Sequence, residues 1–237
     1  NIGSSLAKGL VNSGKVPAQN ITITRRQVLK LSGLSEQGIN VSPNNAHAIE
    51  GADVVVLAVL PQQLNSLLDE VGAQLTYKQL VISVVSGVTI ADIAGRIGTG
   101  IPVVRAMPNT AIAIGESMTC IAGNSDEHVT TVTQIFETVG STVEIRESQM
   151  TSATALCACG IAFFLRAIRA ASQGGVEVDF HADEALKMAA QTAKGAAALI
   201  LANKSHPEDE IDKVTSPKGC TIAGLNQMEH SGFSSAF

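Results

Sequence analysis

The segment DKVTSPKGCTIAGL at 212–225 gathers residue types that can hold an anion. Its Ser-Pro pair reads as a helix start, with Ser216 as N-cap and Pro217 in the first helical position. Gly219, Cys220 and Thr221 follow, and their small side chains leave the amides of a first turn uncovered. Uncovered amides at a helix N-terminus, reinforced by the helix dipole, suit a carboxylate. The Thr221 hydroxyl can donate or accept beside that anion. A plain helix cap accounts for Ser216 and Pro217 but not for the run of small residues.

A second set, at the start of the chain, suits a phosphate. NIGSSLAKGL places Leu6, Leu10 and Val11 at helical spacing, with Gly3 in the opening turn. In a dinucleotide-binding unit, a glycine just inside the first helix lets that helix pack close to the sheet while its amides face a pyrophosphate. A glycine merely tolerated in a first turn is the alternative. Enzymes that use NAD carry Asp or Glu roughly 20 residues downstream, where it holds the ribose 2′-hydroxyl. Here a β-rich run ends Thr24-Arg25-Arg26 instead. Two guanidinium groups there can clasp a 2′-phosphate, which predicts NADPH over NADH. Two solvated arginines at a helix start are the alternative.

Other chemistries lack their residues. A Tyr-x-x-x-Lys pair is absent, because Tyr77 is followed four residues on by Val81. The helix CACGIAFFLRAI carries Arg166 and then Arg169 but no lysine of the kind β-hydroxyacid dehydrogenases use. The histidines at 47, 128, 181, 206 and 230 have no metal-ligand spacing, so no metal is expected. Cys120, Cys157, Cys159 and Cys220 lack zinc spacing, and the Cys157-x-Cys159 pair reads as helix packing rather than redox chemistry.

The 237 residues are 45% hydrophobic and 16% charged, enough for a buried core; aromatics are only 3%, with no Trp. The core must therefore be built from Ala, Val, Ile and Leu. A net charge of −5 gives no nucleic-acid footprint. No uninterrupted apolar run reaches the roughly 20 residues of a bilayer span, so no membrane partner is expected. No secretory signal is visible, and reduced thiols in the cytoplasm are expected.

These residues need a frame to hold them. Residues 1–148 alternate β-rich runs (ITIT at 21–24, DVVVLAV at 53–59, LVISVV at 80–85, IPVVRAM at 101–107) with helical runs at 4–13, 26–36, 45–51, 62–73 and 89–96. The strands are apolar without alternation, as strands covered on both faces should be. MTCIAG (118–123), a helix at 126–139 and STVEI (141–145) complete a Rossmann-type α/β domain with a doubly wound parallel sheet. Residues 149–237 are read as an all-helical domain. One helix there ends at Gly174-Gly175, and a second covers 183–203. Both are apolar on most sides, which predicts burial against a second subunit.

VTSPKGCTIAGL resembles the VTSPGGTTIAGL signature of pyrroline-5-carboxylate reductases. AMPNT (106–110), VVVLAVLPQQ (54–63) and ISVVSGVTI (82–90) are similar to that family's other blocks, in the same order. The resemblance covers essentially the whole chain. It implies reduction of 1-pyrroline-5-carboxylate to L-proline with NAD(P)H, the last step of proline biosynthesis. It also implies a Rossmann domain followed by a helical dimerisation domain, in homodimers that can build larger assemblies. Block by block, it places Ile2, Gly3 and Ser4 at the pyrophosphate turn and Arg25 and Arg26 at the adenosine ribose and its phosphate. Asn45 falls near the adenine. Ala58, Val59, Leu60 and Pro61, with Val84, Val85 and Ser86, line the cofactor. Met107, Pro108 and Asn109 lie near the nicotinamide, and Lys213 falls at a cofactor position contributed across the dimer. Glu147, Gly219, Cys220 and Thr221 fall at substrate positions, Thr221 being the residue expected to act on the ring nitrogen.

The chain also departs from the family pattern. Leu60 stands where the family has the lysine of AVKP, CACGIAF (157–163) replaces SGSGPAY, and Pro217-Lys218-Gly219 replaces PGG. Both ends read as short, with a first strand and two glycines expected before Asn1 and a further helix after SGFSSAF. A reductase for another imine or carbonyl, or a non-catalytic NADP-binding scaffold, remain the alternatives.

Overall fold

The computed structural model describes residues 2–237. They form two compact units, the first ending at Ile161 and the second spanning Ala162–Phe237.

The first unit opens with helix α1 (Ile2–Asn12). Strands β1 (Thr22–Thr24) and β2 (Asn40–Ser42) pair in parallel as a small separate sheet, with helices α2 (Ser32–Ser35) and α3 (Asn45–Ile49) beside it. The predicted helix at 26–36 is instead a 3-10 turn over Val28–Leu31 followed by the single turn α2. A five-stranded sheet follows in sequence order: β3 (Val54–Leu57), β4 (Leu80–Ser83), β5 (Val103–Met107), β6 (Ser117–Gly123) and β7 (Gly140–Glu144). Helices α4 (Pro61–Val71), α5 (Ile90–Ile97) and α6 (Asp126–Phe136) connect its strands.

β3, β4 and β5 run parallel, whereas β6 is antiparallel to β5 and β7 parallel to β6. The expected wholly parallel sheet is thus parallel-dominated. The connection at 108–116 is shorter than the dozen or so residues of a parallel crossover, so the chain must turn back. The sheet is covered on both faces. Val81 packs with Leu64, Leu68, Ile93 and Ile97 on one side, and its neighbour Ile82 with Leu6, Val132 and Phe136 on the other. Both are 0% exposed, which explains why LVIS shows no alternation.

Close approach rather than flexibility explains two glycines. A Cβ added at Gly3 would lie 3.2 Å from the Cβ of Ala58, at the end of β3. One added at Gly175 would lie 2.9 Å from the Cβ of Ala185. Gly174-Gly175 therefore does not end its helix, as expected from sequence, but seats one helix on the next.

Residues Glu147–Glu177 are continuously helical. This run contains the 3-10 turn Glu147–Gln149, helix α7 (Met150–Ala153), a π-helical turn over Thr154–Cys159 and helix α8 (Gly160–Glu177). It is long and apolar enough to cross a membrane by length and composition alone, with a mean hydropathy of 1.6 over its best window. That amends the expectation that no run reaches bilayer length, since Arg166 and Arg169 break the apolar letters but not the helix. The second unit adds α9 (Ala182–Asn203), α10 (Pro207–Lys213), α11 (Cys220–His230) and α12 (Phe233–Ala236). Phe163, Phe164, Leu165, Leu186 and Leu201 stand 47–79% exposed on α8 and α9.

Candidate active site

Parallel register brings three predicted segments to one edge of the main sheet. Leu57 pairs with Ser83 and Ser83 with Arg105, so the chain leaves β3, β4 and β5 side by side. Ala58, Val59, Leu60 and Pro61 follow β3; Val84, Val85 and Ser86 follow β4; Met107 ends β5, and Pro108 and Asn109 follow it. The Ser86 hydroxyl lies 3.9 Å from the Met107 sulfur, closing the second and third segments together. The contact between Gly3 and Ala58 brings Ile2, Gly3 and Ser4 to the same edge. A side chain at position 3 would need a few tenths of an ångström more room between the first turn of α1 and the end of β3. This close seating of the helix on the strand is what the last glycine of a dinucleotide-binding turn provides.

Arg25 leaves β1 with its amide donating to the Ser42 carbonyl at 3.0 Å, which keeps β1 and β2 together past the last strand residue. Arg26 is exposed, and among the described residues neither guanidinium has an ion-pair partner. Asn45 opens α3 and donates through Nδ2 to both Glu70 oxygens, at 3.2 and 3.1 Å. Leu60 is 64% exposed, an apolar side chain in water.

Asn109 is buried and its polar atoms face the protein. Its amide nitrogen donates to the Ser117 hydroxyl at 3.1 Å, its Oδ1 accepts from Ala111 at 3.0 Å, and its Nδ2 donates to the Cys157 carbonyl at 3.2 Å. It shapes the turn after β5 rather than offering a free polar arm. Ser117 and Thr119 extend this buried network, their hydroxyls 3.2 Å apart.

Glu147 is likewise anchored. Its Oε1 accepts from the Ile90 amide at 2.7 Å, at the start of α5, and from Arg105 Nη1 at 3.2 Å. The Arg105 side chain is only 7% exposed and that of Glu147 32%. A buried guanidinium needs a counter-charge, and Glu147 supplies it. Sequence reasoning missed Arg105, although a charge inside the apolar strand IPVVRAM was the signal for it.

The second unit carries the remaining predicted residues. Lys213 ends α10 and donates to Glu210 at 2.8 Å; Ser205 and Asn203 donate to the same oxygen at 2.7 and 3.1 Å. These hydrogen bonds, led by that from Lys213, hold the Glu210 carboxyl down at about 2. The segment at 216–219 does not cap a helix as predicted. The Gly219 amide donates to the Ser216 carbonyl at 2.9 Å, with Lys218 at φ +60. This is the pattern of a type II turn, with Pro at the second position and a positive φ at the third. Helix α11 starts after it at Cys220, with Gly219 as N-cap and no side chain bonded to the first amides. The turn displaces the helix start by three residues and leaves the amides of Cys220 and Thr221 bare. Lys218 is exposed, Cys220 is exposed, and Thr221 is half-buried.

Comparisons with known proteins agree on one family. Residues 147–237 match the family profile described as pyrroline-5-carboxylate reductase dimerisation, and residues 1–87 match NADP oxidoreductase coenzyme F420-dependent. Pyrroline-5-carboxylate reductase 1 of Dictyostelium discoideum is 48% identical over 100% of the chain, which spans 45% of that protein's length. Pyrroline-5-carboxylate reductase 2 of the same organism is 45% identical, again over 100% of the chain, and the match covers 85% of that relative. A crystal structure of the Plasmodium falciparum pyrroline carboxylate reductase with NADP bound superposes with a TM-score of 0.87 at 26% identity, covering 99% of this chain and 88% of the other.

Proposed function

The chain belongs to the pyrroline-5-carboxylate reductase family, and we propose that it reduces 1-pyrroline-5-carboxylate to L-proline using NADPH in preference to NADH. The observation that carries this reading is the bare start of α11, where Gly219, Cys220 and Thr221 stand free of any capping side chain. An amide pair at a helix N-terminus suits the substrate carboxylate. The Thr221 hydroxyl is within the same turn and holds a proton at the ring nitrogen, because an imine is most electrophilic when protonated.

Ile2, Gly3 and Ser4 would hold the cofactor pyrophosphate. Arg25 and Arg26 would hold the 2′-phosphate, and Asn45 would lie by the adenine. The segments at 58–61, 84–86 and 107–109 would line the dinucleotide along the sheet edge. A nicotinamide held there would supply the hydride for the C=N carbon. Asn109, fixed on three sides, orients the turn beside it, and most of the rate gain comes from alignment of the reacting groups.

The exposed apolar residues of α8 and α9 support a homodimer formed through the helical region, with larger assemblies built from such dimers and Lys213 acting across the interface. A cytoplasmic location suits the use of its cysteines as free thiols. The test is NADPH consumption by the purified full chain with pyrroline-5-carboxylate, repeated with NADH and with a panel of other imines and carbonyls. Proline formation with a higher kcat/KM for NADPH is expected. Calorimetric binding of NADPH without turnover of any substrate would make the protein a scaffold and overturn the proposal. Turnover of other imines only would reassign the substrate.

A further inference from the structure

Two cysteines far apart in sequence meet in the first unit. The sulfurs of Cys120 and Cys157 lie 3.7 Å apart. Cys120 sits on β6 directly across the ladder from Met107 and is 2% exposed. Cys157 lies on the π-helical turn, is half-buried, and carries the carbonyl that accepts from Asn109. The pair is therefore packed behind the turn at 107–109, in one apolar cluster with Met107, Ala122 and Met150.

A disulfide brings the sulfurs to about 2.05 Å. From van der Waals contact, closure needs an approach of less than about 2 Å, and a π-helical turn is the loosely wound part of its helix. The geometry points to Cys120 and Cys157 as an oxidative modification site, closed to an intramolecular disulfide by a low-molecular-weight disulfide. Cys157, the sulfur with solvent access, attacks one sulfur of the oxidant, forms a mixed disulfide and releases one thiol. Cys120 then gives up its proton, attacks the Cys157 sulfur and releases the second thiol. Two protein thiols are oxidised and one small disulfide is reduced. Burial pushes the Cys120 thiol up to about 12, which keeps it protonated and leaves the first attack to Cys157. The bond ties β6 to the turn that holds Asn109. This inference stands independently of the substrate assignment.

The test is mass spectrometry of the folded full chain after treatment with glutathione disulfide. A Cys159→Ser/Cys220→Ser variant removes the two exposed thiols that would otherwise carry adducts. Loss of the mass of two hydrogens is expected, with a reducible cross-link between the peptides containing Cys120 and Cys157. Adding Cys120→Ser, or Cys120→Ala should the serine perturb folding, is expected to leave a stable glutathione adduct on Cys157. A Cys157 adduct in the variant with Cys120 present, together with a Cys120 thiol that alkylates after unfolding, would overturn the proposal. So would a mass unchanged by the oxidant, with both thiols still open to alkylation after unfolding.

Discussion

Removing the carboxylate of Glu147 tests whether the Arg105 pair holds the first unit together. At 3.2 Å and an effective dielectric of about 20, the gross attraction is about 5 kcal/mol. Much of that is offset by desolvation, and breaking a fully buried pair from one side costs roughly 3–5 kcal/mol. Two features lower the cost here. Glu147 is a third exposed, so water can enter its place, and Arg105 also attracts Asp92, whose carboxyl is held low chiefly by its bonds to Thr89 and in small part by this guanidinium. One feature raises it, because the Ile90 amide loses its acceptor at the start of α5. Glu147→Ala should therefore destabilise by about 3 kcal/mol. Glu147→Gln keeps an acceptor for Ile90 but not the charge, and should cost about half as much. Arg105→Met removes the buried charge itself and leaves a carboxylate that reaches water, so its cost should stay below about 1 kcal/mol. Urea unfolding followed by far-UV circular dichroism is the assay, since the chain has no Trp and a single Tyr. An Arg105→Met variant as unstable as Glu147→Ala would refute the reasoning, because the guanidinium would then contribute through packing and not through its charge.

Three further outcomes follow from the second unit. Thr221→Ala should lower kcat roughly 10- to 1000-fold with the unfolding midpoint unchanged; full turnover would remove Thr221 from the proton's path. Lys218→Gly should stabilise by about 1 kcal/mol, because Lys218 holds a left-handed φ of +60 that glycine adopts freely; a destabilised variant would show that the lysine side chain contributes more than its backbone costs. The Glu210 carboxyl lies below its ordinary value, so its bonds favour the fold above pH 4.5 and that favour fades as pH falls toward about 2. Carboxyl-detected NMR should find its midpoint near 2 and find it raised in Lys213→Met; a midpoint near 4.5 in the unaltered chain would contradict this.

The sheet was legible because burial on both faces leaves a sequence mark. LVIS and VVVL show apolar letters without alternation; LVIS became β4, buried along its whole length inside the sheet, and VVVL became β3 at the sheet's edge, with Val55 and Leu57 buried and Val54 and Val56 half-buried. The direction of β6 was not legible in MTCIAG, since strand letters are the same either way; the short 108–116 connection held that information. The run CACGIAF reads as ordinary helix, and nothing in its letters separates a π-helical turn from an α-helical one. Arg105 announced that it needed a partner, but Glu147 lies 42 residues away and only the folded chain brings them together. The start of α11 was misread for a related reason. Ser-Pro favours a cap, yet a lysine in the left-handed region turned the chain once more before the helix began.

Helix starts divide in a way that bears on where ligands sit. Some helix starts carry an acceptor or an acid of their own. Asn44 caps α3 and Thr89 caps α5, each through a side chain that accepts from the helix, while α6 and α9 carry Asp126, Glu127, Asp183 and Glu184 in their first turns. Helices α4 and α11, like the single turns α2 and α12, have no N-cap side chain bonded to the first amides and no first-turn acid, although at α4 the Gln63 Oε1 accepts from the Leu60 amide at 3.4 Å. Helices α4 and α11 begin at Pro61 and Cys220, the two places where sequence reasoning had set a cofactor segment and a substrate carboxylate. Four unpaired amides at a helix start cost stability unless something accepts from them. The start of α11, unlike those of α3 and α5, is therefore left to water or to an anion from outside. That contrast is internal to the molecule, and it is the reason for proposing the carboxylate site at 219–221 on the turn as a whole and not on any single residue in it.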